Sequence, residues 1–221
     1  MRYRTVLFDL DGTILDTTPL IVASFQHTWK TYGLDQYSEQ DVFHRLGEPL
    51  WDQMRHFGGP ERADRMVATY RAYNMANHDR YVQTFPGVDQ VLEKLYREGL
   101  LLGIVSNKQR QAVQKGLKQS QLSAWFSTVV CWEDADRPKP DPSPIRLALE
   151  RLDGDAKTTL MVGDSKYDLL AARQAGVASA AVSWSVHGTS LFRYRPDHVL
   201  DTMEDLLQVV GLPPSGGGES S

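Results

Sequence analysis

Apolar residues along this chain follow two rhythms, and the change between them outlines its organisation. Val6 to Phe8 is a short apolar run with the length of a buried strand. From Pro86 onward, strand-like and helix-like patterns alternate. Val88, Val91, Leu92 and Leu95 have helical spacing, Gly99 stops that helix, and Leu100 to Val105 is an apolar strand. Phe126 to Val130 predicts another strand, and Ser143-Pro144 opens a helix carrying Ile145, Ala148, Leu149 and Leu152 that closes at Gly154. Thr159 to Val162 and Ser179 to Trp184 predict two more strands around a helix from Leu169 to Ala175 that stops at Gly176. Met203, Leu206, Leu207 and Val210 mark a last amphipathic helix. Strands that are apolar on both faces, separated by helices, imply a parallel sheet and an α/β, Rossmann-like core.

Between Asp16 and about Arg80 the rhythm is helical throughout. Leu20, Phe25, Trp29 and Tyr32 recur at helical spacing, and Met66, Val67, Tyr70 and Tyr73 form a second apolar stripe that reads as packing surface. The expected division is a core of residues 1–15 and 81–212, an all-helical insert over 16–80, and a disordered tail over 213–221, where Gly, Ser and Pro dominate.

Composition narrows the class. The chain has 221 residues, 41% hydrophobic and 24% charged, which suits an ordinary globular protein with a full core. It shows neither a signal-peptide pattern nor an apolar stretch long enough for a membrane. The single cysteine, Cys131, excludes an internal disulfide framework and any multi-cysteine zinc site, so a reducing cytoplasm is expected. A net charge of −4 gives no general attraction to nucleic acid or acidic membrane, so an anionic substrate must be held by a local cluster of cations and amides. The six histidines have no metal-ligand spacing.

The candidate chemistry sits at strand ends. In Val6-Leu7-Phe8-Asp9-Leu10-Asp11-Gly12-Thr13 the strand delivers Asp9 and Asp11, two positions apart and therefore on one face, before Gly12 allows a sharp turn. A calcium loop would need Gly at the sixth position and Glu at the twelfth, where this chain has Ile14 and Leu20. Ser106 follows Ile104-Val105 and precedes Asn107 and Lys108; its hydroxyl and the adjacent amides suit phosphate oxygens, while a helix cap or turn residue is the plainer reading. Lys139 is framed by prolines in Arg137-Pro138-Lys139-Pro140-Asp141-Pro142, which limit its freedom. Gly163-Asp164-Ser165-Lys166-Tyr167-Asp168 follows a strand and opens a helix, where the aspartates are either helix caps or ligands.

Taken together these residues suit phosphoryl transfer assisted by Mg2+. A hard cation takes oxygen ligands, which Asp9, Asp164 and the backbone carbonyl of Asp11 would supply. Asp9 would then attack phosphorus, Asp11 would serve as general acid and base, and Lys139 and Ser106 would stabilise the transferring phosphoryl group.

In order, DLDGT, VSNK, the PKP lysine and GDSKYD resemble the four motifs of the haloacid dehalogenase superfamily. The helical insert resembles the mobile cap of its phosphoglycolate phosphatase, pyrophosphatase and β-phosphoglucomutase branch. The resemblance implies that Asp9 is the nucleophile, Asp11 the acid and base, and Asp164 a magnesium ligand. Ser106, Asn107 and Lys139 would bind phosphate, with Asp168, Gly12 and Thr13 in support. It favours phosphatase chemistry over dehalogenation, because Asp11 stands two residues after the nucleophile. The first helix of the insert and Phe126 to Val130 are most similar to the bacterial pyrophosphatases of that branch. Within the insert, Arg45 and Gly47 are candidates for contact with a second anionic group of the substrate. A small phosphorylated metabolite or pyrophosphate is the expected substrate of a monomer or weak homodimer. A phosphomutase is the competing enzyme reading. A non-hydrolytic phosphoacceptor or partner-binding protein is the competing reading of another class, and it leaves the helical insert without a purpose.

Overall fold

The computed structural model describes residues 2–213. Six parallel strands form one sheet in the order β5-β4-β1-β6-β7-β8. They are β1 (Thr5–Phe8), β4 (Leu101–Val105), β5 (Thr128–Val130), β6 (Thr159–Gly163), β7 (Ala178–Val182) and β8 (His198–Leu200). The chain begins in the middle of the sheet, builds out to one side through β4 and β5, then returns to build the other side from β6. The order therefore reverses beside β1, where open α/β sheets form their ligand crevice.

The two-residue period of β1 sets the layers. Val6 and Phe8 point into a core shared with α5 (Val88–Arg97), α6 (Arg110–Gln119) and α9 (Asp205–Val210). Leu7 points the other way, into a core closed by α7 (Ser143–Leu152) and α8 (Lys166–Ala175). Both faces are covered, which explains why the strands are apolar without alternation.

Four helices lie between residues 16 and 83 of the chain: α1 (Thr18–Tyr32), α2 (Glu39–Phe43), α3 (Leu50–Gly58) and α4 (Pro60–Tyr81). They enclose a core of their own, in which Phe25, Trp29, Met54, Phe57, Met66, Val67 and Tyr70 pack together. Phe57 sits edge-on to Phe25 and Trp29 at 5.6 and 5.1 Å between ring centroids. Tyr73 is outside this core and stacks on His27 instead. The chain enters and leaves the helical unit through a two-stranded antiparallel ribbon, β2 (Leu15–Asp16) and β3 (Gln83–Thr84).

Several elements differ from expectation. Helix α6 and the short strand β8 were not foreseen, and neither was the β2/β3 ribbon. In α6 only Val113, Gly116 and Leu117 are buried among Arg, Gln and Lys residues, so its apolar stripe is narrow. Helix α8 starts three residues earlier than its apolar spacing suggests, because Ser165 and Asp168 cap it. No helix of the described residues is long and apolar enough to cross a membrane. The expectation of a disordered tail falls, beyond Pro213, outside the described residues.

Candidate active site

Asp9, Ser106 and Asp164 each occupy the first position after a neighbouring strand, β1, β4 and β6 respectively. The sheet itself therefore sets their spacing. The backbone continues the ladder one step further, with the Asp9 N–H donating to Val162 O at 2.9 Å and the Ser106 N–H to Val130 O at 2.9 Å. These groups line a cavity of about 850 Å3 between the sheet edge and the helical unit, together with Asp11, Gly12, Asn107, Lys139 and Asp168. That volume is in the range of metabolite pockets.

Lys139 is the hub. It is 2% exposed, and its Nζ donates to Asp9 Oδ1 at 2.7 Å, Asp168 Oδ1 at 2.5 Å and the Val105 carbonyl at 2.6 Å. Burial by itself would depress the ammonium group, but the Asp168 and Asp9 carboxylates outweigh it and hold Lys139 above its ordinary value. The other oxygen of Asp168 accepts from the Ser165 N–H and hydroxyl, so this carboxylate is fully used inside the protein. Asp9 has one oxygen free of Lys139. Burial pushes its carboxyl up to about 7, with Lys139 opposing the rise and Asp168 and Asp11 adding to it. Burial, then the facing Asp9 and Asp168 carboxylates, also raises Asp164 well above the usual carboxylate range.

This crowding fits a cation. Carboxylate oxygens of Asp9, Asp164 and Asp168 lie within 4.8 Å of one another, an oxygen-only set suited to a hard divalent ion. Asp168 is already saturated by Lys139 and Ser165, which leaves Asp9 and Asp164 as the side chains able to hold it. The turn at Gly12, with φ of 77°, is moulded to the same group: a β-carbon there would collide with the Asp164 carboxylate. Ser185 fixes Asp164 from behind by donating to its carbonyl at 2.7 Å. The neighbouring Thr13 is fully buried, and its hydroxyl has no partner among the described residues.

Several predicted residues make contacts that the sequence did not show. Asp11 shares the cavity, but its side chain faces Lys108, whose Nζ lies 2.7 Å from Asp11 Oδ1. That pairing engages one oxygen of the carboxylate. The Asn107 side chain lines the cavity and is engaged by backbone groups. Its Nδ2 donates to the carbonyls of Gly47 at 3.0 Å and Lys139 at 2.9 Å, and its Oδ1 accepts from the Lys139 N–H at 2.8 Å. It therefore clamps the Lys139 backbone and the 45–49 loop of the helical unit together. Tyr167 makes a second tie to that loop by donating to Glu48 Oε1 at 3.0 Å. Gly47 fits against this contact with φ of 89°, where a β-carbon would lie 2.8 Å from the Tyr167 ring.

Arg45 is not brought to the cavity that holds Asp9. Its guanidinium is held by Glu48 Oε2 at 2.7 Å and His56 Nδ1 at 2.9 Å, on an adjoining cleft that shares Glu48, Asp52 and Lys139 with that cavity. Two cations that the sequence did not single out line the cavity instead, Lys108 and Arg71. Lys108 had a visible signal, standing two positions after Ser106 in one loop. Arg71 follows Val67 by four residues and precedes Asn74 by three, which puts it beside the buried stripe of α4.

Comparison with known proteins agrees with this geometry. Residues 6–182 match the haloacid dehalogenase-like hydrolase family. The chain is 42% identical to the pyrophosphatase PpaX of Bacillus velezensis, over 96% of this chain and 98% of that protein. It is also 42% identical to the PpaX of Anoxybacillus flavithermus, over 96% and 99%. Among solved structures, a haloacid dehalogenase-like family hydrolase from Streptococcus pneumoniae superposes with a TM-score of 0.84 at 25% identity, covering 94% of this chain and 98% of that one. The chain belongs to the haloacid dehalogenase-like hydrolase family and is an enzyme of the phosphatase type.

Proposed function

We propose that this phosphatase depends on Mg2+ and hydrolyses inorganic pyrophosphate, or a small phosphorylated metabolite such as phosphoglycolate, through an aspartyl phosphate on Asp9. The observation that carries the reading is the state of Asp9. It lies 7% exposed at the end of β1, with one oxygen pinned by Lys139 and the other free toward the cavity. The relatives named pyrophosphatase PpaX support pyrophosphate as the first substrate to try.

Asp9, Asp164 and the Asp11 carbonyl would hold Mg2+. Bound there, the ion supplies the positive charge that keeps the two carboxylates ionised and polarises the phosphoryl oxygens. The free oxygen of Asp9 attacks phosphorus, the bond to the leaving oxygen breaks, and a mixed anhydride forms. Asp11 gives a proton to the leaving oxygen and then takes one from the water that attacks phosphorus, which breaks the anhydride bond to Asp9 and releases phosphate, so Lys108 must release the Asp11 carboxylate during the cycle. Lys139 and Ser106 hold the charge on the transferring group. Asn107 contributes indirectly, by keeping the Lys139 backbone in place.

In this reading residues 1–15 and 81–212 are the catalytic core and 16–80 a cap that closes over it. The enzyme is cytoplasmic and works as a monomer or weak homodimer. Phosphate release from pyrophosphate, phosphoglycolate, sugar phosphates and nucleotides, with and without Mg2+, tests the proposal. Activity should need Mg2+ and fall at least about a hundredfold in Asp9→Asn. Metal-independent turnover, or an active Asp9→Asn protein, would refute it.

A further inference from the structure

Three cationic side chains line the cavity: Lys139, Lys108 and Arg71. Two of them are committed to carboxylates, Lys139 to Asp9 and Asp168, and Lys108 to Asp11. Arg71 has no hydrogen bond and no ion pair among the described residues. Glu133, the acid whose field reaches it, is occupied at the start of α6, where it accepts from the Arg110 N–H at 3.0 and 3.2 Å.

The helix that carries Arg71 is held in place. Its helix neighbour Tyr70 packs against Phe25 with ring centroids 5.1 Å apart. One turn further on, Asn74 donates to Ser24 Oγ at 3.2 Å inside the helical unit. Helix α4 is therefore fixed against α1, and it presents Arg71 on the cavity wall that the helical unit contributes. Burial draws the group below its ordinary value, the sign of a cation that has lost water without gaining a full partner.

We infer that Arg71 is a specificity-determining residue that binds a second anionic group of the substrate, on the part that leaves when the phosphoryl group is transferred. This inference deepens the phosphohydrolase reading and rests on it. A guanidinium presents a planar fork of N–H donors that matches two oxygens of a phosphoryl group or of a carboxylate. Lys139, Ser106 and the acidic cluster serve the transferred phosphoryl group at the sheet edge, and Arg71 serves the leaving half from the helical side. The role first expected of Arg45 thus passes to a residue whose charge is still available.

The test uses the full-length chain and its Arg71→Gln and Arg71→Lys variants. Steady-state kcat and KM are measured with pyrophosphate, phosphoglycolate and p-nitrophenyl phosphate, the last of which carries no second phosphoryl or carboxylate group. Arg71→Gln should raise KM for the anionic substrates by about tenfold or more and leave kcat/KM for p-nitrophenyl phosphate within about twofold. Arg71→Lys should fall between the two, and added guanidinium ion should restore part of the loss in Arg71→Gln. An effect on pyrophosphate alone identifies a phosphoryl group as the ligand, and one on phosphoglycolate alone a carboxylate. Equal losses on all three substrates, or none on the anionic ones, would overturn the inference while leaving the phosphohydrolase reading intact. A wild-type protein inactive on all three would overturn both. Thermal unfolding of each variant at the wild-type temperature confirms that the comparison is between folded proteins.

Discussion

Removing the Lys139 ammonium should unbalance the site more than any other single change. Lys139→Met keeps most of the side-chain volume, so the perturbation is electrostatic. It strands two carboxylates that are 7% and 1% exposed, Asp9 and Asp168, and leaves the Val105 carbonyl without its donor. Breaking a buried ion pair by deleting one partner costs about 3–5 kcal/mol. For a chain of this length that lowers Tm by roughly 6–20 °C. Differential scanning calorimetry without metal measures it directly. The control is the triple change Lys139→Met, Asp9→Asn and Asp168→Asn, which removes the stranded charges along with their partner and should recover most of the loss. Activity gives a second reading, with kcat down about 100- to 1,000-fold on loss of the phosphoryl contact. A single variant within about 2 °C of wild type, or a triple variant no better than the single one, would refute the charge-balance argument.

Other consequences follow from the same geometry. Because Asp9 is raised in the fold from 3.8 to about 7, the native state binds the extra proton across that window. Stability from this group is therefore lost as pH rises from about 4 to 7, so metal-free Asp9→Asn should gain in Tm over wild type at pH 8 and gain little at pH 5. An equal gain at both values would contradict the assigned burial cost. Asn107→Ala removes the clamp on the Lys139 backbone and the Gly47 carbonyl, and should cost about 1–3 kcal/mol in denaturant melts and speed hydrogen exchange in α2 and α3. Unchanged exchange there would show that the 45–49 loop is held by other contacts. The Cys131 thiol is 1% exposed and pushed up to about 12 by burial, so a thiol reagent should label it only after unfolding. Rapid labelling of the native protein would place it outside the core.

The parts of the site that were legible in the sequence are those set by strand ends. An apolar run followed by Asp9 and Asp11, by Ser106, or by Asp164 fixes where a side chain emerges, and parallel pairing of β4, β1 and β6 then brings those positions together. What the sequence could not show was which polar groups would be consumed by one another. Arg45 carries its neutralising partner Glu48 three residues on, but the second partner, His56, arrives only through packing of α3. Asn107 reads as a donor beside a phosphate site until the fold brings the Lys139 backbone to its amide. Nothing in the sequence sets Arg71 apart from Arg62, Arg65 and Arg80 in the same helix, and only the cavity wall distinguishes it. Helix α6 was missed for another reason: it buries only Val113, Gly116 and Leu117, and so narrow a stripe gives a weak periodic signal.

The central claim is a covalent phosphoryl group on Asp9, and the most direct test is to trap it. Turnover of radiolabelled pyrophosphate in the presence of Mg2+ is quenched in acid within the first cycle, and the protein is reduced with borohydride and mapped by mass spectrometry. The account predicts label that is stable to acid, released by hydroxylamine, and replaced on reduction by homoserine at position 9, with none of this in Asp9→Asn. Full turnover with no labelled protein at any quench time, or reduction at a residue other than Asp9, would contradict it.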